Sequence, residues 1–217
     1  APIYEGGGTA PARLPSIQRG HLVMLHSFRS FARTAPLKSA FATCFVKGSA
    51  SDLVAQTQVE KAIEFDWRRN LSFAFFSGAY LGIGQHYIYN IAFTRLFGAG
   101  HDFRTALKKV VADSLVHVPM IYLPLYYPFK AAVLGEGSAL NGLRRYRADA
   151  YDVVTTYWTM WPMFHLFNFT LMPSELRISS IACVSFVWLV FLSYRSHTEE
   201  VESGSGAESR RRGELAG

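Results

Sequence analysis

From Leu71 to Phe93 the chain carries no Asp, Glu, Lys or Arg. That uncharged run of about 23 residues can cross the ~30 Å hydrocarbon core of a bilayer as a helix, with some tilt to spare. A helix on the surface of a water-soluble domain keeps a polar face. This block instead has aromatic residues throughout, from Phe73 to Phe93. Gly78 and Gly82 stand four apart, with Ser77, Ala79 and Gly84 close by. Such a face lets a neighbouring helix approach closely, which is how helices associate in lipid.

The same pattern recurs along the chain. Half of the 217 residues are apolar and 15% are aromatic, gathered in blocks between short charged segments. The expectation is an all-α integral membrane bundle of about four transmembrane helices, with a surface amphipathic and aromatic helix. A first span begins at Pro36, a residue suited to the first helical turn, and runs to about Gln56. Lys38, Lys47 and Asp52 interrupt it, so it needs a protected face or snorkelling ends. Residues 60–70 mix three acids with three bases and read as a polar connection.

A third span covers about Val110 to Leu134, with Pro119, Pro124 and Pro128 inside it. Each proline removes a backbone donor, so this helix should be bent or broken and should face the interior or a cavity. Residues 135–157 read as a surface helix that places Tyr146, Tyr151 and Tyr157 at headgroup level. The aromatic run from Trp158 to Phe169 suits an interface or a short membrane-entering segment, closed by Pro173. A last span covers about Ile178 to Tyr194.

The ends differ from the blocks. Residues 1–27, with Gly6-Gly7-Gly8, Pro2, Pro11 and Pro15, read as an irregular basic extension, and residues 198–217 as a polar tail without apolar periodicity. Up to Ser51 there are six basic residues and one acid, Glu5. An acid-poor basic leader suits an organelle-directed protein or anionic lipid headgroups. Nucleic acid is not the expected partner, because the cations flank apolar blocks and form no patch interleaved with stacking aromatics. With four spans both termini share one side, and the basic flank and the basic loop after the second span put that side on the charge-retaining face, the matrix in a mitochondrion. Cys44 and Cys183 lie in apolar stretches and read as small hydrophobes.

Trp161-Pro162, then Asn168-Phe169, Pro173, Arg177 and Trp188 with Leu192-Ser193, are similar to the C-terminal signature of the Mpv-17 and 22-kDa peroxisomal membrane protein family. Earlier stretches resemble it too: Pro36, Lys38, Gly48, Asp52 and Gln56 in the first helix, and Asp66-Trp67-Arg68-Arg69 at the entry to the second. Gly78, Gly82, Gly84, His86 and Tyr89 follow, and then Lys109, Asp113 and Pro119. The resemblance covers residues 28–197. Where the family pattern has proline, tryptophan and two glutamines, this chain has Ile83, Ile88, Ser114 and His165. The resemblance implies a small four-span protein of the inner mitochondrial membrane, or of a peroxisomal or plastid one, associated with solute permeation and organelle homeostasis and with no catalytic activity.

Polar residues inside the blocks are the candidate site. Asp52 and Gln56 share one face at i,i+4 spacing, as do Asp113 and His117. An ionisable residue at membrane depth is costly enough to mark a pathway or an interhelical pair. His86, His165 and Asn168 complete the candidate pathway or network. Gly78, Gly82 and Gly84 are the candidates for close helix packing. No metal pattern, nucleophile elbow or phosphate loop occurs, so no catalytic residue, metal or cofactor is expected beyond bound phospholipid.

The job expected first is that of a lipid-embedded accessory subunit of a larger inner mitochondrial membrane complex, a respiratory complex or ATP synthase. The partners would be membrane lipids and other membrane subunits. Its motive is that the Gly/Pro leader and the Gly/Ser/Arg tail need a partner surface to order, and that the chain starts at Ala1 as a processed protein would. The alternative is a channel or transporter for small solutes, lined by Asp52, Gln56 and Asp113.

Overall fold

We describe the fold from a computed structural model, which covers residues 16–190, their side chains from residue 23 onward. Helix α1 is Ser16–Thr34. Helix α2 is Pro36–Val54, prolonged by a wider turn over Ala55–Val59 in which the Glu60 amide reaches back five residues to Ala55. Helix α3 covers residues 67–97, α4 is Phe103–Val133, α5 is Ala139–Leu171 and α6 is Arg177–Val190. No strand occurs among the described residues.

Helix α1 corrects the expectation of an irregular extension over residues 1–27 in its described part, residues 16–27. The glycine and proline punctuation ends at Pro15, and beyond it Met24, Phe28 and Phe31 recur at helical spacing. Residues 1–15, the end of the last expected span and the tail over 198–217 lie outside the described residues.

The core of the bundle is the pairing of α2 with α3. Ala40, Cys44, Gly48, Asp52 and Gln56 fall every fourth residue along α2 and all are buried. They form one i±4n ridge of small and polar side chains. The facing ridge of α3 is Asn70, Ala74, Gly78 and Gly82. A Cβ at Gly48 would lie 2.5 Å from Ser77 Cβ, and one at Gly82 would lie 2.7 Å from the Ala40 carbonyl oxygen. The two helices are therefore antiparallel and in backbone contact, and the Ser77 hydroxyl donates to the Cys44 carbonyl across 2.7 Å.

Asp66 caps α3 by accepting from the Arg69 amide, and Asp102 caps α4 by accepting from the Thr105 amide. Between them Gly98, with φ of 97°, takes the left-handed conformation that ends α3.

Helix α4 was expected to be bent or broken at its prolines, and it runs unbroken from Phe103 to Val133. Its backbone widens instead: over Asp113–Tyr122 the hydrogen bonds reach five residues, as from the Leu123 amide to the Val118 carbonyl. In that register Pro119, which has no N–H, leaves the Ser114 carbonyl without its donor. Trp158 Nε1 of α5 supplies one at 3.1 Å. The expected surface helix and the expected aromatic segment prove to be one helix, α5, 33 residues long.

From α2 onward, successive helices alternate in direction. Phe76 of α3 stacks on Phe129 of α4, and Tyr89 meets Asp113. Along α4 and α5, Gly142 touches Pro128, Tyr146 donates to the Pro119 carbonyl and Tyr157 to Asp113. Helix α6 starts beside Asn90 and runs back along the bundle toward Lys130 and Glu136. The basic residues before α2 and those around the α3–α4 turn consequently sit at one end.

Beside an apolar core that includes Tyr89, Phe93, Val110, Phe169 and Ile178, the bundle buries an unusual number of polar side chains and exposes many large apolar ones. Asp52, Gln56, Asn70, Asp113, His117, His165, Asn168 and Arg177 are buried, whereas Leu53, Phe75, Leu96, Met120, Met163, Leu171 and Val187 are exposed. Large apolar side chains exposed in this number suit a lipid surround better than water. By length and composition one described helix, Phe103–Val133, could cross a membrane, and α6 is a shorter apolar helix.

Candidate functional site

Asp113 sits at the centre of the bundle, fully buried, where the widened stretch of α4 begins. Its Oδ1 accepts from the Tyr89 hydroxyl of α3 at 2.7 Å and lies 2.7 Å from His117 Nδ1. Its Oδ2 accepts from the Tyr157 hydroxyl of α5, with His165 Nε2 3.6 Å away. Tyr80 meets the other nitrogen of His117 at 3.2 Å, and Gln85 donates to the Tyr89 hydroxyl at 3.3 Å. A carboxylate in such a place needs several donors, and three helices supply them. The sequence candidates Asp113, His117 and His165 are thus brought together. Ser114 and His165, two of the departures from the family pattern, both lie here.

Asp52 and Gln56 form a second group, toward the end where α2 passes into α3. Gln56 Nε2 donates to Asp52 Oδ2 at 2.7 Å, Arg69 Nε to Asp52 Oδ1 at 2.8 Å and Asn70 Nδ2 to Oδ2 at 3.2 Å. Gln56 also ties down the turn into α3, accepting from the Asp66 amide at 2.8 Å. Arg69 extends the pair outward to both oxygens of Glu60, and that contact holds the Glu60 carboxyl below its ordinary range.

The remaining candidates form a third group at the opposite end. Arg177 donates to Asn90 Oδ1 at 2.6 Å and lies over the Phe169 ring, 5.1 Å from its centre. Asn168 accepts from the Ser180 hydroxyl at 2.8 Å, and His86 faces Asn90 at 3.2 Å. The Pro173 carbonyl accepts from the Leu176 amide in the α5–α6 turn. Trp161 stacks on His165, and Pro162 follows it inside α5. Trp161 and Trp188 line a shallow hollow together. Gly78 and Gly82 pack closely, the former against the Phe41 ring, but Gly84 meets only Ala79 and Tyr80 of its own helix at 3.6 Å and beyond. Gly84 lies off the ridge, because the ridge runs 70, 74, 78, 82.

Two cavities join the first two groups. One, of about 180 Å³, is bounded by Gln85, Tyr89, Tyr157, Trp161 and His165. The other, of about 390 Å³, reaches Asp52, Glu60, Arg69 and Glu136. Lys47, Leu81 and Tyr122 line both. Lys47 was read only as an interruption of the first span, and Arg69, Gln85 and Tyr157 were not candidates. Nothing but the i,i+3 and i,i+4 relation of Lys47 to Cys44 and Ser51 could have placed it on that wall. Among the described residues no cluster of three or more metal-ligating side chains occurs.

Comparison with known proteins begins at the C-terminal half. The sequence profile of the Mpv17 / PMP22 family matches residues 132–193. Protein SYM1 of Eremothecium gossypii is 33% identical over 166 residues, which is 74% of this chain and 88% of the relative. The chain belongs to the Mpv17/PMP22 family. Within this family, Protein SYM1 of Debaryomyces hansenii is 29% identical over 171 residues, 75% of this chain and 82% of the relative. The mitochondrial inner membrane protein Mpv17 of Mus musculus is 32% identical over 92 residues, 42% of this chain and 51% of the relative. The expected location holds: the chain is a mitochondrial inner membrane protein. No solved structure matches it. Trp161, Asn168, Phe169, Pro173, Arg177 and Trp188 all fall within the stretch that the Mpv17/PMP22 profile covers.

Proposed function

We propose that this Mpv17/PMP22 protein is a non-enzymatic conduit for small solutes across the inner mitochondrial membrane. The observation that carries this reading is the pair of adjoining cavities that share Lys47, Leu81 and Tyr122. They run from the charged end of the bundle, at Asp52, Glu60 and Arg69, inward to the walls of Tyr89, Tyr157 and His165. Polar residues inside a membrane mark solute paths because burying them in lipid without use is costly. The Asp113 group closes the inner end, since four side chains from three helices converge on one carboxylate. Passage then needs that group to part.

Helices α2, α3, α4 and α6 supply the four expected crossings. The aromatic half of α5 lies antiparallel against α4 over the same depth, which makes a fifth. At ~1.5 Å per residue, α5 is about 50 Å long, so its charged first half extends beyond the hydrocarbon. The end that gathers Arg33, Lys38, Arg95 and Arg104 faces the matrix.

The accessory-subunit reading drew on the two chain ends, which lie outside the described residues, so the conduit reading takes precedence. Purified protein in liposomes distinguishes them. The conduit reading expects solute release from loaded vesicles, and it expects Leu81→Trp, which fills the junction of the two cavities, to bring release down to the level of protein-free vesicles. No release from folded wild-type protein, together with co-migration with a respiratory complex or ATP synthase on native electrophoresis, would favour the subunit reading.

A further inference from the structure

We infer that the inner cavity is a binding site for a small monocarboxylate, held at its carboxylate by Lys47. The inference rests on the conduit reading for its meaning but on separate observations for its evidence. Lys47 lines the inner cavity, and among the described residues its ammonium has no hydrogen bond and no ion pair. Among the described residues, Arg69 has Asp52, Arg177 has Asn90 and the Phe169 ring, and Lys109, which lines neither cavity, has the Phe169 ring 5.9 Å from its ammonium. An unanswered ammonium in a half-enclosed hollow favours an anion.

Two buried polar atoms on the same walls are also without partners. His165 Nδ1 and Gln85 Oε1 have no hydrogen-bond partner, although their residues are only 2% and 7% exposed. Buried polar atoms are nearly always satisfied, and Gln85 and His165 are lining residues of the same cavity as Lys47, so a polar ligand bound there is the nearest source of the missing partners. Each has its other polar atom engaged. His165 Nε2 faces Asp113, and Gln85 Nε2 donates to Tyr89, so neither side chain is free to turn away.

Size and lining fix the class. The cavity, about 180 Å³, is close to the roughly 150 Å³ in which an engineered apolar cavity holds one benzene. That is room for about six non-hydrogen atoms, far less than a nucleotide needs. Leu81, Val118 and Ile181 make the rest of the wall apolar. A short carbon chain with one carboxylate fits that wall, whereas a di- or trivalent anion would meet one cation only. A hydroxyl on the chain would donate to Gln85 Oε1. Lactate has this chemistry, and lactamide has the same shape without the charge.

The test is calorimetric titration of the full chain in lipid nanodiscs with lactate and, separately, with lactamide. Saturable binding of lactate with none of lactamide is expected. Lys47→Met, which keeps an unbranched side chain one atom shorter and removes the charge, is expected to abolish lactate binding with an unchanged melting temperature. Absence of lactate binding by folded wild-type protein, equal binding of lactamide, or undiminished binding by Lys47→Met would each overturn the proposal. If Lys47→Met does not fold, the comparison of lactate with lactamide decides by itself. Lactate binding without solute release from liposomes would leave the site standing and remove the conduit.

Discussion

Arg69 Nε lies 2.8 Å from Asp52 Oδ1, and the two residues come from helices whose only covalent link is the turn over residues 60–66. Asp52 is 4% exposed at its side chain and Arg69 14%. Removing one partner of a buried ion pair leaves an uncompensated charge and costs about 3–5 kcal/mol, far more than the pair contributes against an apolar replacement. Arg69 keeps Glu60 when Asp52 is lost, so Asp52→Ala should fall at the lower end, about 3 kcal/mol. The double variant Asp52→Ala/Arg69→Ala should lose less than the sum of the singles. Denaturation in detergent with a double-mutant cycle measures this, and strict additivity would show that the pair is not coupled.

The close approach of α2 to α3 makes a sharper contrast between two glycines that look alike in sequence. A Cβ at Gly82 would stand 2.7 Å from the Ala40 carbonyl oxygen and 2.9 Å from Phe41 Cα, both backbone atoms that cannot step aside. Gly82→Ala should therefore destabilise by about 1–3 kcal/mol, the usual range for overpacking. At Gly84 the nearest atoms are at ordinary contact distance and belong to its own helix. Gly84→Ala should be neutral or mildly stabilising, because alanine favours helix by up to ~1 kcal/mol. Melting temperatures of the two variants side by side give the answer, and equal losses would contradict the packing described.

Which parts of this were legible in the sequence follows from what a one-dimensional pattern carries. The uncharged block from Leu71 to Phe93 marked α3 directly, and Pro36 marked the start of α2. Pairs within one helix, Asp52 with Gln56 and Asp113 with His117, were visible because i,i+4 spacing is local. Which helices face each other is not local. The grouping of Asp113 with Tyr157 and His165 depends on how α5 lies on α4, and no spacing encodes that. Proline was legible only in part: α4 was expected to be bent or broken, and it is continuous, with a wider register that leaves the Ser114 carbonyl without its backbone donor and Trp158 satisfying it. Gly142, packed 2.5 Å from the Tyr127 carbonyl if a Cβ is added, went unnoticed because it stands alone in a charged stretch. The cavity wall at Lys47 was hidden for a related reason, since a lysine between apolar residues looks like an interruption until its neighbours across the bundle are known.

At the end of the bundle where α1 meets the α5–α6 turn, Glu175 fastens the two together. Its Oε1 accepts from Arg33 Nε at 2.8 Å, with Arg29 Nε at 3.5 Å. The hydrogen bond from Arg33 holds the Glu175 carboxyl below its ordinary value of 4.5. A carboxyl depressed in the docked state contributes its stability above the undocked value and loses it as pH falls through the docked one. The contact should therefore be intact at pH 7 and should fade as the pH drops below about 4.5, the ordinary carboxyl value. Hydrogen exchange of the α1 amides follows it: protection should fall in that window for the wild type, and Glu175→Gln should show the low protection already at pH 7. If Glu175→Gln protects α1 as well as the wild type does, the contact does not hold the helix.

The path of α5 decides how many times the chain crosses. Were α5 a surface helix ending in a shallow aromatic segment, the turn before it, at Glu136, and the turn after it, at Ser174, would lie on the same face of the membrane. In the structure Gly142 lies beside Pro128, and the Phe169 ring is 5.9 Å from Lys109 Nζ, so α5 follows α4 along most of its length. Helix α4 is the described helix whose length and composition suit a crossing, and a partner that tracks it is expected to cross with it. Single cysteines at Glu136 and Ser174, in a chain with Cys44 and Cys183 replaced by alanine, should then react with a membrane-impermeant maleimide from opposite sides. In mitoplasts, with the outer membrane removed, the proposed orientation expects the Glu136→Cys variant to label and the Ser174→Cys variant to label only after detergent. The reverse pattern would keep the fifth crossing and invert the orientation. Labelling of both from one side would return α5 to the membrane surface, and with it both chain ends to the same face.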